Sequence, residues 1–317
     1  MKRIGNLYTR ITSLKNLQEA DVKAQKGKAG QYGVELHNRN REANLLVLKD
    51  LLESKTYKTS TYDIFTVHEP KERIVYRLPY FPDRIAHHAI MNVLEPIFVS
   101  TFTADTYSCI KTRGIHALLR KLRGDLKDVP GKQYCLKLDI KKFYPSVDHD
   151  VIKMLLRRKI KDPELLWLLD EIIDSAPGLP IGNYLSQYLA NFYLSYFDHW
   201  LKEQKGVRYY YRYADDIVIL HHDKQWLHNL LMDIGLYLNG LKLEVKENHQ
   251  VFPVDSRGID FVGYVFFHSH IRIRKKIKQS FARKLSRNPS HTSTASYLGW
   301  LGHCNARHLT KKLLPHE

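Results

Sequence analysis

Apolar residues recur at helical spacing at Leu45, Leu48, Leu51 and Leu52 with polar residues between them, which predicts an amphipathic helix within residues 34–52. The preceding stretch, residues 20–33, is rich in Lys and Gly without apolar periodicity, so it reads as a basic loop. The period then changes. Residues 62–68 and 73–78 are β-rich runs separated by Glu69-Pro70-Lys71-Glu72, the signature of a hairpin with a charged tip. Pro82 opens a predicted helix through Ile85, Ala89, Ile90, Val93 and Leu94, with Pro96 as its limit. Gly114 starts another helix, which ends in Arg120-Lys121-Leu122-Arg123.

Residues 133–140 form a predicted strand carrying Asp139 near its end, followed by helices over 146–159 and 163–174. Pro177-Gly178-Leu179-Pro180 breaks the chain before a long predicted helix over 182–202. Strands over 207–213 and 217–220 bracket Ala214-Asp215-Asp216, and residues 224–239 are helical. Strands follow over 241–245, 249–252 and 259–267, and the last 45 residues, rich in Lys, Arg and His, form a small helical bundle. Strand, helix, helix, hairpin, helix, strand is the order of an α+β fold, an antiparallel sheet backed by helices. Along Tyr209-Tyr210-Tyr211 alternate rings should point to opposite faces of that sheet, leaving an outward set for nucleic acid.

Composition narrows the function. Fifty Lys and Arg against 33 Asp and Glu in 317 residues give a net charge of +17, with 44% hydrophobic residues. A chain this apolar buries enough surface to offset its conformational entropy, which excludes disorder. No run of about 18 apolar residues occurs, so no membrane span is expected. The basic N-terminus runs into Leu7, Tyr8 and Arg10 without an apolar signal region, which places the protein in the cytoplasm. Cys109, Cys135 and Cys304 are too far apart for a disulfide framework. His87-His88 and His221-His222 are adjacent pairs whose members diverge, and Cys304 with His303 and His308 lacks a second cysteine, so zinc is rejected. The charge excess, interleaved with tyrosines, points to a polyanion partner, nucleic acid first.

Asp139 and the pair Asp215-Asp216 carry the candidate chemistry. If the 133–140 strand lies beside the 207–220 hairpin, three carboxylates converge. Each pair at about 4 Å repels by about 4 kcal/mol at an effective dielectric of 20, so a cation must offset them. Hard divalent ions prefer carboxylate oxygens, and two such ions clamp the attacking and leaving oxygens of phosphoryl transfer.

Tyr213-Ala214-Asp215-Asp216 with its flanks, and Leu138-Asp139-Ile140-Lys141-Lys142-Phe143-Tyr144-Pro145, resemble the catalytic hairpin and first catalytic strand of reverse transcriptases. Further motifs continue the resemblance in order over residues 60–310: Pro82-Asp83-Arg84-Ile85, Leu179-Pro180-Ile181-Gly182, Gly240-Leu241-Lys242-Leu243, Phe261-Val262-Gly263-Tyr264 and Tyr297-Leu298-Gly299-Trp300-Leu301. They are similar to bacterial group II intron-like enzymes. The resemblance implies a right-hand polymerase with an N-terminal basic extension (1–60), fingers (61–132), a palm (133–267, with 160–182 returning toward the fingers) and a short helical thumb (268–317). It also implies two Mg²⁺ ions on Asp139, Asp215 and Asp216.

By the same resemblance, Lys71 and Arg73 at the fingertip, Tyr144, Gly182, Gln187 and Lys242 contact the dNTP. Tyr144 excludes a ribose 2′-hydroxyl, and Phe261 and Gly263 support the primer end. Asn183, Gln187 and Asn191 are spaced as one polar helix stripe, which reads either as a solvated face or as a wall against the nascent base pair. The family pattern Gln-Gly, three residues, Ser-Pro is here Ile181-Gly182, three residues, Ser186-Gln187. That double departure is similar to the reverse transcriptases of diversity-generating retroelements, which copy a template-repeat RNA with errors at adenines. Ile181, Asn183, Ser186 and Gln187 are therefore the fidelity candidates. The implied partners are an RNA template, a DNA or RNA primer, dNTPs and a small basic accessory protein. A defence-type polymerase needing little template, and an RNA-binding maturase-like protein that no longer polymerises, stay open.

Overall fold

The computed structural model describes residues 3–68, 72–286 and 290–313. It divides into two compact units, the first made of Met1–Phe102, Lys142–Tyr196 and Leu241–Leu243, the second of Thr103–Lys141, Phe197–Gly240 and Glu244–Glu317. The division cuts across the segments expected from the sequence, because the chain leaves the second unit directly after the Asp139 strand and returns at Phe197.

In the first unit the first six residues of the expected basic loop lie in a helix, Leu14–Gln25, and turns follow. Leu17, Ala20, Asp21 and Ala24 form its buried stripe, at i, i+3, i+4 and i+7. Two of its members are small and one is a carboxylate, so hydropathy alone does not reveal it. Burial pushes the Asp21 carboxyl up, but hydrogen bonds from Tyr80, Gln25 and Arg41 outweigh that and hold it below its ordinary value. The next predicted helix is two, Tyr32–Arg39 and Arg41–Glu53, divided at Asn40. Helix Leu14–Gln25 rests on Ile85–Val99, whose Ile85, Ala89, Ile90 and Leu94 are buried, while Tyr32–Arg39 and Arg41–Glu53 rest on the segment Tyr80–Arg84 just before it. Pro96 lies inside this helix rather than at its limit, in the last turn, where its missing N–H costs one bond.

Strands β1 (Asp63–Val67) and β2 (Arg73–Arg77) form the expected antiparallel hairpin, with Asp63 opposite Arg77. Its tip, including Lys71, lies outside the described residues. Helix His149–Lys159 starts at Asp148, whose side chain accepts from the Val151 N–H at 3.0 Å. Helix Pro163–Ile173 starts in the same way at Asp162. The expected long helix over 182–202 is interrupted at Leu194, giving Tyr184–Tyr193, Ser195–His199 and Trp200–Gln204.

The second unit is built on an antiparallel sheet of β3 (Tyr134–Asp139), β4 (Tyr209–Tyr213), β5 (Asp216–His221) and β6 (Gln250–Pro253), in the order β4-β5-β3-β6. Helix Lys224–Gly240 packs on β3, β5 and β6, and helix Ile115–Asp125 packs on β4. Tyr210 and Tyr211 are therefore both buried, their hydroxyls donating to Asp198 and Asp125. Tyr209 alone of the three is half-exposed, because Tyr210 and Tyr211 are covered on the two faces of β4.

Residues 241–245 are not a strand: Leu241–Leu243 belong to the first unit, and Val245 makes one bridge with Ile140. The expected strand over 259–267 is a hairpin, β7 (Ile259–Phe261) and β8 (Tyr264–Phe266), turning at Val262-Gly263, and β9 (Ile271–Ile273) completes a second small sheet. Helices Lys275–Leu285, His291–Leu301 and Arg307–Leu313 close on Phe281 and Leu301, with Phe281 stacked on Tyr297 at 4.6 Å. Among the described residues no helix is long and apolar enough to cross a membrane.

Candidate active site

β3 is buried on both faces, Cys135 on one and Leu136 and Leu138 on the other, so a slip of one residue against β5 would exchange the two sets. The ladder runs from Tyr134 opposite His221 to Asp139 opposite Asp216. Directly opposed residues share a face, so these two carboxylates are neighbours. Asp216 is thus the first residue of β5, and the turn itself is Ala214-Asp215. The Asp215 carbonyl accepts from the Ile140 N–H at 3.2 Å, holding the turn against the end of β3.

The electrostatics are those of an under-compensated cluster. Burial, and next the adjacent Asp139 charge, push the Asp215 carboxyl up. Burial also pushes Asp216 up, to about 7; Lys137 opposes this while Asp139 and Asp215 add to it. Two lysines offset part of this charge: Lys246 Nζ donates to Asp139 Oδ2 at 3.4 Å, and Lys137 Nζ lies 3.9 Å from Asp216 Oδ1. Lys137 is also engaged with the Asp260 carbonyl. Asp139 Oδ1 and Asp216 Oδ1 are buried without a hydrogen-bond partner. Buried carboxylate oxygens left in that state are costly, and a hard cation satisfies them.

Among the described residues no three His, Cys, Asp or Glu side chains are close enough to hold one ion by themselves. That is compatible with Mg²⁺, which binds through one or two carboxylates and completes its shell with water and substrate phosphates. The acidic cluster fits such an ion.

The raised Asp216 carboxyl predicts a pH dependence for the metal-free protein. Its value in the fold exceeds the ordinary one of about 4, so its contribution to stability is full below that pH and is lost as pH rises through about 7. In chelator, Asp216→Asn should become progressively more stable than the parent between about pH 4 and 7, by about 2 kcal/mol at the plateau, a figure reduced for its 29% exposed side chain. A difference in melting temperature independent of pH would contradict the assignment.

The remaining candidates divide between the units. In the second, Phe261 is fully buried, and a Cβ on Gly263 (φ +91°) would lie 2.4 Å from the Trp300 ring. Gly263 thus packs against this unit's C-terminal helices, while Phe261 is part of its core. In the first unit Arg73 is exposed on β2. Tyr144 is half-buried, its ring edge-on to Phe143 at 5.7 Å and its carbonyl accepting from Leu179 N–H at 2.8 Å. Lys242 pairs with Asp148 at 2.7 Å, which raises its ammonium pKa.

Gly182 (φ +122°) approaches protein backbone rather than open space: a Cβ there would lie 2.5 Å from the Tyr76 carbonyl oxygen. The Ile181 carbonyl accepts from Tyr76 N–H at 2.8 Å, so the start of helix Tyr184–Tyr193 is docked on β2. The polar stripe is not a solvated face. Asn183 is buried and donates to the Tyr62 hydroxyl at 2.9 Å, Asn191 and Ser186 are buried, and Gln187 alone of these four is exposed.

Gln187 lines a cavity of about 320 Å³ with Lys23, Lys26, Lys28, Arg84 and His88, and its described lining includes no Asp or Glu. Burial, and then Lys28 and Arg84, push His88 down to about 4, so the cavity draws its charge from Lys and Arg. Sequence reasoning missed this cluster because the lysines lie on the helix read as a loop and on the turns after it; their repetition at 23, 26 and 28 was the signal available.

Residues 68–266, more than half of the chain, match the family described as reverse transcriptase (RNA-dependent DNA polymerase). The chain is 25% identical to protein YkfC of Escherichia coli over 258 residues, covering 67% of this chain and 66% of that protein. It is 23% identical to the group II intron-encoded protein LtrA of Lactococcus lactis, covering 64% of this chain and 45% of LtrA. It is 28% identical to the mitochondrial nuclear intron maturase 1 of Arabidopsis thaliana, covering 29% of this chain and 12% of the maturase. The chain thus spans less than two thirds of the length of these relatives. Its match over the segment that contains β3, β4 and β5 places it in the reverse transcriptase family.

Proposed function

We propose that the protein is an RNA-directed DNA polymerase, with β3–β6 as its palm, β1–β2 in its fingers and the C-terminal helices as its thumb. The observation that carries the reading is the pair of buried oxygens without hydrogen-bond partners on Asp139 and Asp216, beside a carboxyl on Asp215 raised by burial and by Asp139. The primer 3′-oxygen attacks the α-phosphorus of a dNTP, the bond to pyrophosphate breaks, and the 3′-hydroxyl proton passes to water. Asp139 and Asp215, with Asp216 assisting, would hold two Mg²⁺ ions. When bound, these lower the pKa of the 3′-hydroxyl and neutralise the triphosphate. The fingertip cations Lys71 and Arg73 bind the triphosphate, and Tyr144 stands against the sugar. The cationic cavity beside Gln187 supports contact with a nucleic-acid strand.

Primer extension on a defined RNA with Mg²⁺ is the test. Product that needs the template supports the reading, product without template favours the defence-type polymerase, and RNA binding without product favours the maturase-like protein. In the same assay Tyr144→Ala should raise ribonucleotide incorporation, and an unchanged rNTP/dNTP ratio would contradict its role.

The finer reading is a diversity-generating retroelement enzyme that copies a template-repeat RNA with errors at adenines, aided by a small basic accessory protein. It rests on Ile181 and Gln187. An exposed, flexible amide at Gln187 and an apolar side chain at Ile181 enforce base-pair geometry loosely. Ile181 docks through its backbone carbonyl, so Ile181→Gln exchanges the side chain without breaking that contact. Its adenine error rate should fall several-fold, and an unaltered error spectrum would count against the idea.

A further inference from the structure

Arg212 heads the fully buried large side chains of the described residues, on β4 three positions before Asp215. A guanidinium without water is tolerated only when it is paired and hydrogen-bonded. Asp198, also fully buried, supplies the pair: Nε donates to Oδ1 at 2.8 Å and Nη2 to Oδ2 at 2.5 Å. Asp198 is fixed in turn by the Tyr210 hydroxyl at 2.6 Å and the Thr106 hydroxyl at 2.9 Å. The backbone of Arg212 is held as well, its N–H donating to the Asp105 carbonyl and its carbonyl accepting from Tyr107 N–H, both at 3.0 Å. With one edge of the fork anchored in this way, Nη1 reaches forward and donates to the Ala214 carbonyl at 3.1 Å.

Ala214 occupies the left-handed region at φ +56°, which an L residue disfavours. The surrounding structure must therefore impose that conformation, and the Arg212 contact falls on the carbonyl of the strained residue, directly before Asp215. Lysine could not do this, because one ammonium on a flexible stem lacks the planar fork that grips two acceptors at once.

We infer that Arg212, anchored by Asp198, is a positioning residue that clamps the Ala214-Asp215 turn and so aims the Asp215 carboxylate at Asp139. The inference rests on the polymerase reading for its kinetic consequences, but not for its metal-binding ones. A pair that merely filled the core would affect stability and leave ion binding alone.

The full chain is compared with three variants. Arg212→Lys keeps the charge and loses the fork. Asp198→Asn/Arg212→Met removes the donor to Ala214 without leaving a charge buried, so it remains informative where Arg212→Lys fails to fold. Thr106→Val weakens the same network on the side away from the turn. The readouts are Mn²⁺ binding to nucleotide-free protein by electron paramagnetic resonance, melting temperature, and kcat and KM in primer extension. The Arg212 variants should bind Mn²⁺ about tenfold more weakly and lose about 10- to 100-fold in kcat with KM for dNTP unchanged. Thr106→Val should lower the melting temperature yet keep Mn²⁺ affinity within about twofold. A folded Arg212 variant with parental Mn²⁺ affinity, or a Thr106→Val protein that loses as much affinity as the Arg212 variants, would overturn the inference. A parent that binds Mn²⁺ and makes no DNA would overturn the polymerase reading, while the Mn²⁺ comparison still decides the role of Arg212.

Discussion

Asp215→Asn should abolish template-directed DNA synthesis, by about 10³-fold or more, while leaving the protein at least as stable as the parent. The two halves of that result have one physical cause. Burial and the charge on Asp139 disfavour the ionised form of Asp215 in the fold, so an uncharged amide of the same shape removes a repulsion that the metal-free protein must bear. In the reaction the same negative charge is what attracts a divalent ion. Losing several kcal/mol of transition-state stabilisation corresponds to at least about three powers of ten, at about 1.4 kcal/mol for each. Asp139→Asn should behave alike, since Asp139 Oδ1 is one of the buried oxygens without a partner. Primer extension on an RNA template, with melting curves in chelator and in Mg²⁺, measures both halves. The parent should gain stability on adding Mg²⁺ and the variants should gain less. Synthesis by Asp215→Asn within about tenfold of the parent would remove Asp215 from the chemistry.

The acidic cluster was legible in the sequence because its supports are periodic. An apolar strand ending at Asp139 and an aromatic hairpin around Asp215 show the two-residue alternation of a sheet, and pairing them antiparallel puts Asp139 opposite Asp216. Much of what holds the cluster was not legible. Arg212 reads as one more basic residue among tyrosines, and nothing local shows that its partner is Asp198, on a separate helix fourteen positions earlier. The helix Leu14–Gln25 was hidden because its buried stripe is Leu, Ala, Asp, Ala, a pattern whose meaning depends on Tyr80 and Arg41 coming to meet the Asp. The fraying of 182–202 into three pieces and the turn at Val262-Gly263 were lost for a different reason. Their apolar runs are continuous, and hydropathy does not record where the backbone changes direction. Pro96 and the tyrosines of β4 were misread through local rules, one about helix breakers and one about strand alternation, that packing from both sides overrode.

Gly182→Ala should be damaging out of proportion to its single methyl group. Gly182 was expected to bring backbone close to a ligand; the structure spends that closeness on β2. At φ +122° an L residue is strained by about 1–3 kcal/mol. The added Cβ would also fall 2.5 Å from the Tyr76 carbonyl oxygen, a backbone atom that cannot swing aside as a side-chain tip can. Relief requires breaking the Tyr76 N–H to Ile181 carbonyl bond, a further cost of about 1 kcal/mol, and with it the docking of the β1–β2 hairpin. The expected sum is about 2–4 kcal/mol, so melting should fall by several degrees. The kinetic signature separates this from general instability. If the hairpin carries the fingertip cations that grip the triphosphate, undocking it raises KM for dNTP while Mn²⁺ binding at the acidic cluster is untouched. A Gly182→Ala protein with parental KM and parental melting temperature would show that the hairpin docks by other means and that Gly182 is dispensable.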